Sequence, residues 1–465
     1  MNRTVATGAA LAVTLTAVAV TLTGGTASAR NLPRAPHAER HFYTTMTPYT
    51  PQESLSDYQR APKGFAPVFT ENVVRHGARA MTDSSDGDAV LAVVQSAQAQ
   101  GALTKLGARL GPQVQSLLAG ASSIGYGNLA GLGVQEQQQI ALRLERRLPS
   151  LFATVVAKQE PIEVETSGVA RAVASAKAFT SGLTSGDPSL SGLIQAPVTD
   201  KNLLYFHKQP QNADYQAYLA SDPELAAVLT EIDGEPSTAQ AARHVVSRLF
   251  SAGFVAAMST ADQISFSTSL YNLYSAAPDL SVEAPGVDLD PFLSPQDAHW
   301  FAYLDDAAEF YQKGPAFSGR TITYNMANVL LDDLFTQAEA KADGSSNKGA
   351  VLRFTHAEEI EPLAVLLDLP GSTKAAAADQ PYTYQNNPWR GAQVAPMAAN
   401  VQWDLYAGPA LGSKGGHSTT AQGTEYLVRM LYNEKETAFK PSCKPIAKGS
   451  YYYDLNELEL CYNQA

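Results

Sequence analysis

Apolar residues recur along this chain with two different periods. The stretch 68–74, apolar and β-branched at both ends, reads as a strand, and a glycine-containing turn follows it. Residues 162–164, 351–354 and 401–406 read as further strands. Residues 426–432 and 437–439, on either side of Asn433, Glu434 and Lys435, predict a hairpin. Elsewhere the period is helical. From 89 to 148 it is punctuated at Gly127, Gly131 and Gly133. Its clearest helix is 135–148, with Ile140, Leu142, Leu144 and Leu148 as the apolar stripe. Another helix is predicted over 169–179. Residues 200–318 read as helix after helix without a strand. There 260–263 fits a capping box, and Ser294 and Pro295 fit an N-cap followed by proline in the first turn. Residues 82–88 read as a loop, and 30–60 as an extended arm with Pro33, Pro36, Pro48 and Pro51.

Strands alternating with helices, interrupted by a helical block, predict an α/β fold: a mostly parallel sheet flanked by helices, with an inserted all-α cap domain. The α/β domain takes residues 30–200 and 318–465, and the cap takes 201–317. Residues 89–148 are a further candidate for the helical part.

The chain has 465 residues, 45% of them hydrophobic and 17% charged, which is enough apolar mass for a sizeable core. The net charge of −12 repels nucleic acid and anionic membrane, so neither is an expected partner. Residues 1–29 have the layout of a signal peptide: Arg3, an uncharged run to Leu22, a break at Gly24 and Gly25, and Ala27-Ser28-Ala29 as the cleavage site. Cleavage after Ala29 would give a secreted product, and a monomer is expected. The two cysteines, Cys443 and Cys461, read as one disulfide in an oxidising compartment, two buried thiols being the alternative.

Three stretches share a strand, loop, helix layout. The first strand runs into Arg75-His76-Gly77-Ala78-Arg79. The second runs into Glu165-Thr166-Ser167-Gly168 and a helix bearing Arg171. The third runs into Thr355-His356-Ala357-Glu358. Open α/β sheets bind ligands at the carboxyl ends of their strands, where helix N-termini attract anions. Three arginines and two histidines at such an edge make a phosphate cradle, because a guanidinium fork bonds two oxygens at once.

Arg75 to Arg79 matches the R-H-G-x-R signature, and His356-Ala357-Glu358 the H-A-E form of the second signature, of the histidine phosphatases. The chain resembles the acid phosphatase and phytase branch of that superfamily, and its multiple inositol-polyphosphate phosphatase subgroup in particular. The arm at 43–49 and the spaced Gly and Gln residues at 127–137 are also similar to that subgroup. The resemblance implies an enzyme in which His76 is the nucleophile and Glu358 the proton donor. Arg75, Arg79, Arg171 and His356 would bind the phosphoryl oxygens, with no metal or cofactor. It implies a small phosphate ester as substrate, an inositol polyphosphate such as phytate. A broad acid phosphatase acting on sugar or aryl phosphates is the alternative, and a non-catalytic phosphate-ester binder a remote one.

Three features depart from or complicate the pattern. Ala80 stands where many relatives have Pro. Ser167 and Gly168 precede Arg171 where Asp is frequent. Glu359 sits beside Glu358, and helical geometry would point the two apart. Lys208, His207, Arg243, Lys313 and Arg320 lie in or beside the helical block as candidates for outer phosphates, Lys208 foremost. The glycine-rich stretch 412–416 near His417 reads as a turn.

Overall fold

Residues 41–377, 379–409 and 423–463 are described by a computed structural model. The expected leader at 1–29 and the glycine-rich stretch 412–416 lie outside the described residues. Eight strands form one sheet: β1 (Ala66–Arg75), β2 (Ile162–Thr166), β3 (Val198–Thr199), β4 (Ala350–Thr355), β5 (Asn400–Pro409), β6 (Thr424–Tyr432), β7 (Lys435–Thr437) and β8 (Tyr452–Asp454). The order is β3-β2-β4-β1-β5-β6-β7, and β8 also pairs with β6.

The α/β class holds, with helices flanking a central sheet. The sheet itself is mixed rather than mostly parallel. β3, β2, β4 and β1 pair in parallel. From β5 onward every pairing is antiparallel. A tight hairpin makes one of these pairings. β6 and β7 are joined by Asn433 and Glu434 alone, with φ of 50° and 59°, the left-handed pair that a two-residue hairpin requires. Lys435, expected in the turn, therefore opens β7.

The parallel half sets up the site. Arg75 lies opposite Thr355, and Thr166 opposite Phe354, so β1, β2 and β4 end side by side. β4 is buried along its whole length, as a central parallel strand is. Its Leu352 and Phe354, with Val74 and Val164, pack against Ile140, Leu144, Phe179 and Leu183 of the helices Gly131–Arg147 and Ala170–Gly186. The helices Ser85–Ala99 and Gly107–Ile124 instead pack on Thr260–Ala276 and Pro236–Leu249, within the helical block. Ser294 caps the helix Pro295–Gln312 as its sequence predicts. The capping box of Thr260–Ala276 is closed by Ser259 and Asp262, one residue earlier than expected. Cys443 and Cys461 form a disulfide that ties the C-terminal helix to the loop after β7.

Two close contacts govern how the loop after β1 is seated. A Cβ on Gly133 would lie 2.2 Å from the carbonyl oxygen of Ala78, and one on Gly77 would lie 2.5 Å from that of Gly133. Backbone thus packs on backbone where β1 ends and the 131–147 helix begins. Deeper in the sheet, Arg353 is fully buried among Glu71, Glu165 and Asp333. Three carboxyls share one guanidinium. Burial pushes Glu71 up to about 8, against the pull of Arg353, and pushes Glu165 up to about 7.

Gly133→Ala is expected to cost about 1–3 kcal/mol, because the main chain at 78 must move, and chemical denaturation reads that loss. Glu71 binds its proton more tightly folded than unfolded. Its contribution is therefore complete below about 4.5, the unfolded value, and is lost as pH rises to about 8. Glu71→Gln should flatten the fall in unfolding free energy across that window by on the order of 2 kcal/mol, measured as denaturation midpoints at pH 5 and 8.

Candidate active site

The loop leaving β1 carries His76, whose imidazole is 2% exposed. Its Nδ1 lies 2.9 Å from the Gly77 carbonyl. A carbonyl only accepts, so Nδ1 holds the ring proton and Nε2 keeps its lone pair. Burial comes first, followed by the charge of Arg75, His356, Arg171 and Arg79, in holding this imidazole well below its ordinary 6.5. The ring stays neutral in mild acid.

Main-chain bonds fix the loop. Gly77 N–H donates to Ser175 Oγ at 3.2 Å, and Ala78 N–H to Glu136 Oε2 at 2.7 Å. Glu136 Oε1 accepts from Tyr49 N–H at 2.8 Å, which joins the N-terminal arm to the same anchor. Gln137 donates to the Arg75 carbonyl at 2.9 Å. Ala80 N–H donates to the Asn128 carbonyl at 3.0 Å, a bond that proline could not make.

The cations are turned toward one another. Arg75 gives Nη1 to the carbonyls of Thr45, at 2.6 Å, and Ala395. Arg79 gives Nη1 to Ala80 at 2.9 Å. Arg171 lies in the first turn of Ala170–Gly186. Each of the three buries an Nε–H that has no acceptor among the described residues. Burial, then Arg75 and Arg171, lower Arg79 to about 10.

His356, beside His76 with ring centroids 5.3 Å apart, adds a fourth such donor. Ser167 Oγ accepts from Val169 N–H and lies 2.8 Å from His356 Nε2, to which its hydroxyl is placed to donate. The ring proton then sits on Nδ1, which has no partner. Burial and Arg171 hold His356 down to about 3, so it too is neutral.

Glu358 and Glu359 open the helix Ala357–Leu366 and point apart. Glu359 is fully buried. It accepts from Thr355 Oγ1 at 2.9 Å and lies 2.6 Å from His207 Nδ1. Glu358 is partly open and lies 3.4 Å from Lys313 Nζ. Burial would raise the Glu358 carboxyl, but the nearby positive charge, Lys313 foremost, outweighs it and holds it well below 4.5.

Six of the expected site residues, Arg75, His76, Arg79, Arg171, His356 and Glu358, therefore meet at the carboxyl ends of β1, β2 and β4. Lys208 is exposed on the short turn Phe206–Lys208. Arg243 is exposed, Arg320 pairs with Asp222 and Glu224, and His207 is committed to Glu359. Sequence reasoning missed Glu136, Gln137, Ser175 and the Lys313–Glu358 contact. The first two carried a signal: they are polar one turn before Ile140 and Ala141, on the buried side of an amphipathic helix.

A family model described as the histidine phosphatase superfamily (branch 2) matches residues 69–433. The multiple inositol polyphosphate phosphatase of Bifidobacterium longum, solved in complex with phosphate, is 32% identical. It superposes with a TM-score of 0.83 over 91% of this chain and 97% of that one. The same protein in complex with inositol hexasulfate superposes with a TM-score of 0.81, at 31% identity over 91% of this chain and 97% of that one. Multiple inositol polyphosphate phosphatase 1 of Gallus gallus is 26% identical over 442 residues, 90% of this chain and 89% of that protein. With its two signatures set at adjacent strand ends and these relatives beside it, the chain belongs to branch 2 of the histidine phosphatase superfamily and is a histidine-type phosphatase.

Proposed function

We propose that this protein is a secreted phosphomonoesterase that hydrolyses phytate and other inositol polyphosphates through a phosphohistidine. The observation that carries the reading is the set of buried Nε–H donors without acceptors on Arg75, Arg79 and Arg171, with the unpartnered Nδ1 of His356 beside them, around His76. Donors left unpaired at such cost are explained by an anion that completes them. The inositol ring is suggested by the names of the relatives and by the inositol hexasulfate bound to one of them.

In this mechanism His76 Nε2 attacks phosphorus as the ester P–O bond breaks, and Glu358 gives its proton to the departing oxygen. Water then attacks the phosphohistidine, losing a proton to Glu358 as phosphate leaves. The arginines and His356 hold the three equatorial oxygens throughout, which is where most of the acceleration in phosphoryl transfer originates. No step requires a metal or cofactor. The helical block at 201–317 would roof the site, and Lys208 would meet an outer phosphate from its rim. The disulfide and the leader-like 1–29 support export of a monomer cleaved after Ala29.

Purified protein without added metal is expected to release phosphate from phytate, and His76→Ala to lose about a thousandfold or more of that rate. Release from 4-nitrophenyl phosphate alone would move the substrate to a broad acid phosphatase. Release from neither by folded protein would favour the binding protein. Because His76 is held well below 6.5, kcat/KM for phytate should show no ascending limb near that pH. A limb there would mean that the nucleophile titrates like an exposed imidazole.

A further inference from the structure

The proton donor assigned above stands in the wrong state for its task. A general acid must hold a proton when the ester bond breaks, yet the protein groups around Glu358 favour its carboxylate. The groups that face Glu358 explain why. Arg79 and Arg171 approach from the sides of β1 and β2 but are bound to the phosphate role. His356, on its own helix, is neutral. His207, from the 206–208 turn, is tied to Glu359, and Tyr205 and Tyr215 bring no positive charge.

Lys313 remains. It follows the helix Pro295–Gln312 and is 16% exposed. Its Nζ lies 2.7 Å from Glu309 Oε2 and 3.4 Å from Glu358 Oε1. Glu361, one turn after Glu358, is fully buried, with neither carboxyl oxygen bonded to another described group. Burial, with Glu309 as the next contributor, raises Glu361 well above 4.5. One ammonium is thus divided between the carboxyl groups of Glu309 and Glu358, the second of which reaches the reaction.

We propose that Lys313, held between Glu309 and Glu358, is a positioning residue that pairs with Glu358 in the free enzyme and yields to the charge of an arriving phosphate ester. The inference rests on Glu358 being the proton donor. A monoanionic ester carries in one acidic proton. As its phosphate takes up the field of the cations, that proton passes to Glu358, and from there to the leaving oxygen as the P–O bond breaks and the N–P bond forms. Water gives a proton to Glu358 in the second step, and that proton leaves with the product as monoanionic phosphate, which restores the ionised carboxylate. Charging the donor only in the loaded site would couple protonation to substrate.

The test is kcat against pH, which reads the loaded site, with two esters. Phytate has an alkoxide leaving group that needs a proton, whereas 4-nitrophenolate leaves without one. Lys313→Met should move the descending limb for phytate up by about one pH unit, which is tenfold in rate on that limb, and should leave the limb for the aryl ester in place. Glu309→Gln should move the phytate limb down, since the freed ammonium then belongs to Glu358. Lys313→Arg should restore the original position. A raised KM for Lys313→Met with an unmoved limb would overturn the proposal and make Lys313 a substrate contact. If Lys313→Met does not fold, Glu309→Gln decides by the sign of its shift, and an unmoved or upward limb overturns the idea. Glu358→Gln separates the two levels. Undiminished turnover of phytate by that variant would remove the donor assignment itself.

Discussion

Like charges held together without a direct salt bridge among the described residues are the constraint on which this structure depends. Arg75, Arg79 and Arg171 repel one another around a single imidazole, and Arg75 and Arg79 bond main-chain carbonyls rather than carboxylates. Carbonyl dipoles orient a guanidinium without cancelling it. A salt bridge would neutralise the site and close it to anions. Burial first, and the same positive charge after it, keep His76 unprotonated, so the cradle also helps to supply the nucleophile.

Such an arrangement must be held by rigid surroundings, and the parallel half of the sheet provides them. β1, β2 and β4 are in register at their carboxyl ends, so three loops distant in sequence start from one line. The loop after β1 is then seated by glycine against glycine at 77 and 133. It is pinned by Glu136, which also anchors the arm at Tyr49. The antiparallel strands from β5 onward extend the core, and their turn directs Glu434 inward to Arg143.

Much of the candidate site was legible in the sequence because its residues follow directly on β-branched runs. Arg75 to Arg79 and His356 to Glu358 lie where a strand gives out, and that position needs no tertiary knowledge. The choice between Glu358 and Glu359 was legible as geometry, since adjacent helical residues diverge, and His207 is the partner that makes the second one structural. The mixed sheet was not legible. Nothing local distinguishes a strand that pairs parallel from one that pairs antiparallel, and β5 meets β1 only through long-range register. The capping box slipped by one residue because Ser259 and Thr260 both offer a hydroxyl, and only the packed structure selects Asp262 to answer it. Lys313 could be named as a cation, but not as the partner of Glu358, because helices far apart in sequence bring them together.

The buried carboxyls have a consequence for how this molecule looks to a polyanion in solution. The formal charge of −12 counts every Asp and Glu as ionised. Burial instead pushes Glu71 and Asp306 up to about 8, and pushes Asp279 and Glu361 up as well. The folded protein is therefore less negative near neutrality than its composition states. An approaching phosphate ester meets a weaker long-range repulsion than residue counting implies, and the local field of the arginines takes over at a greater distance.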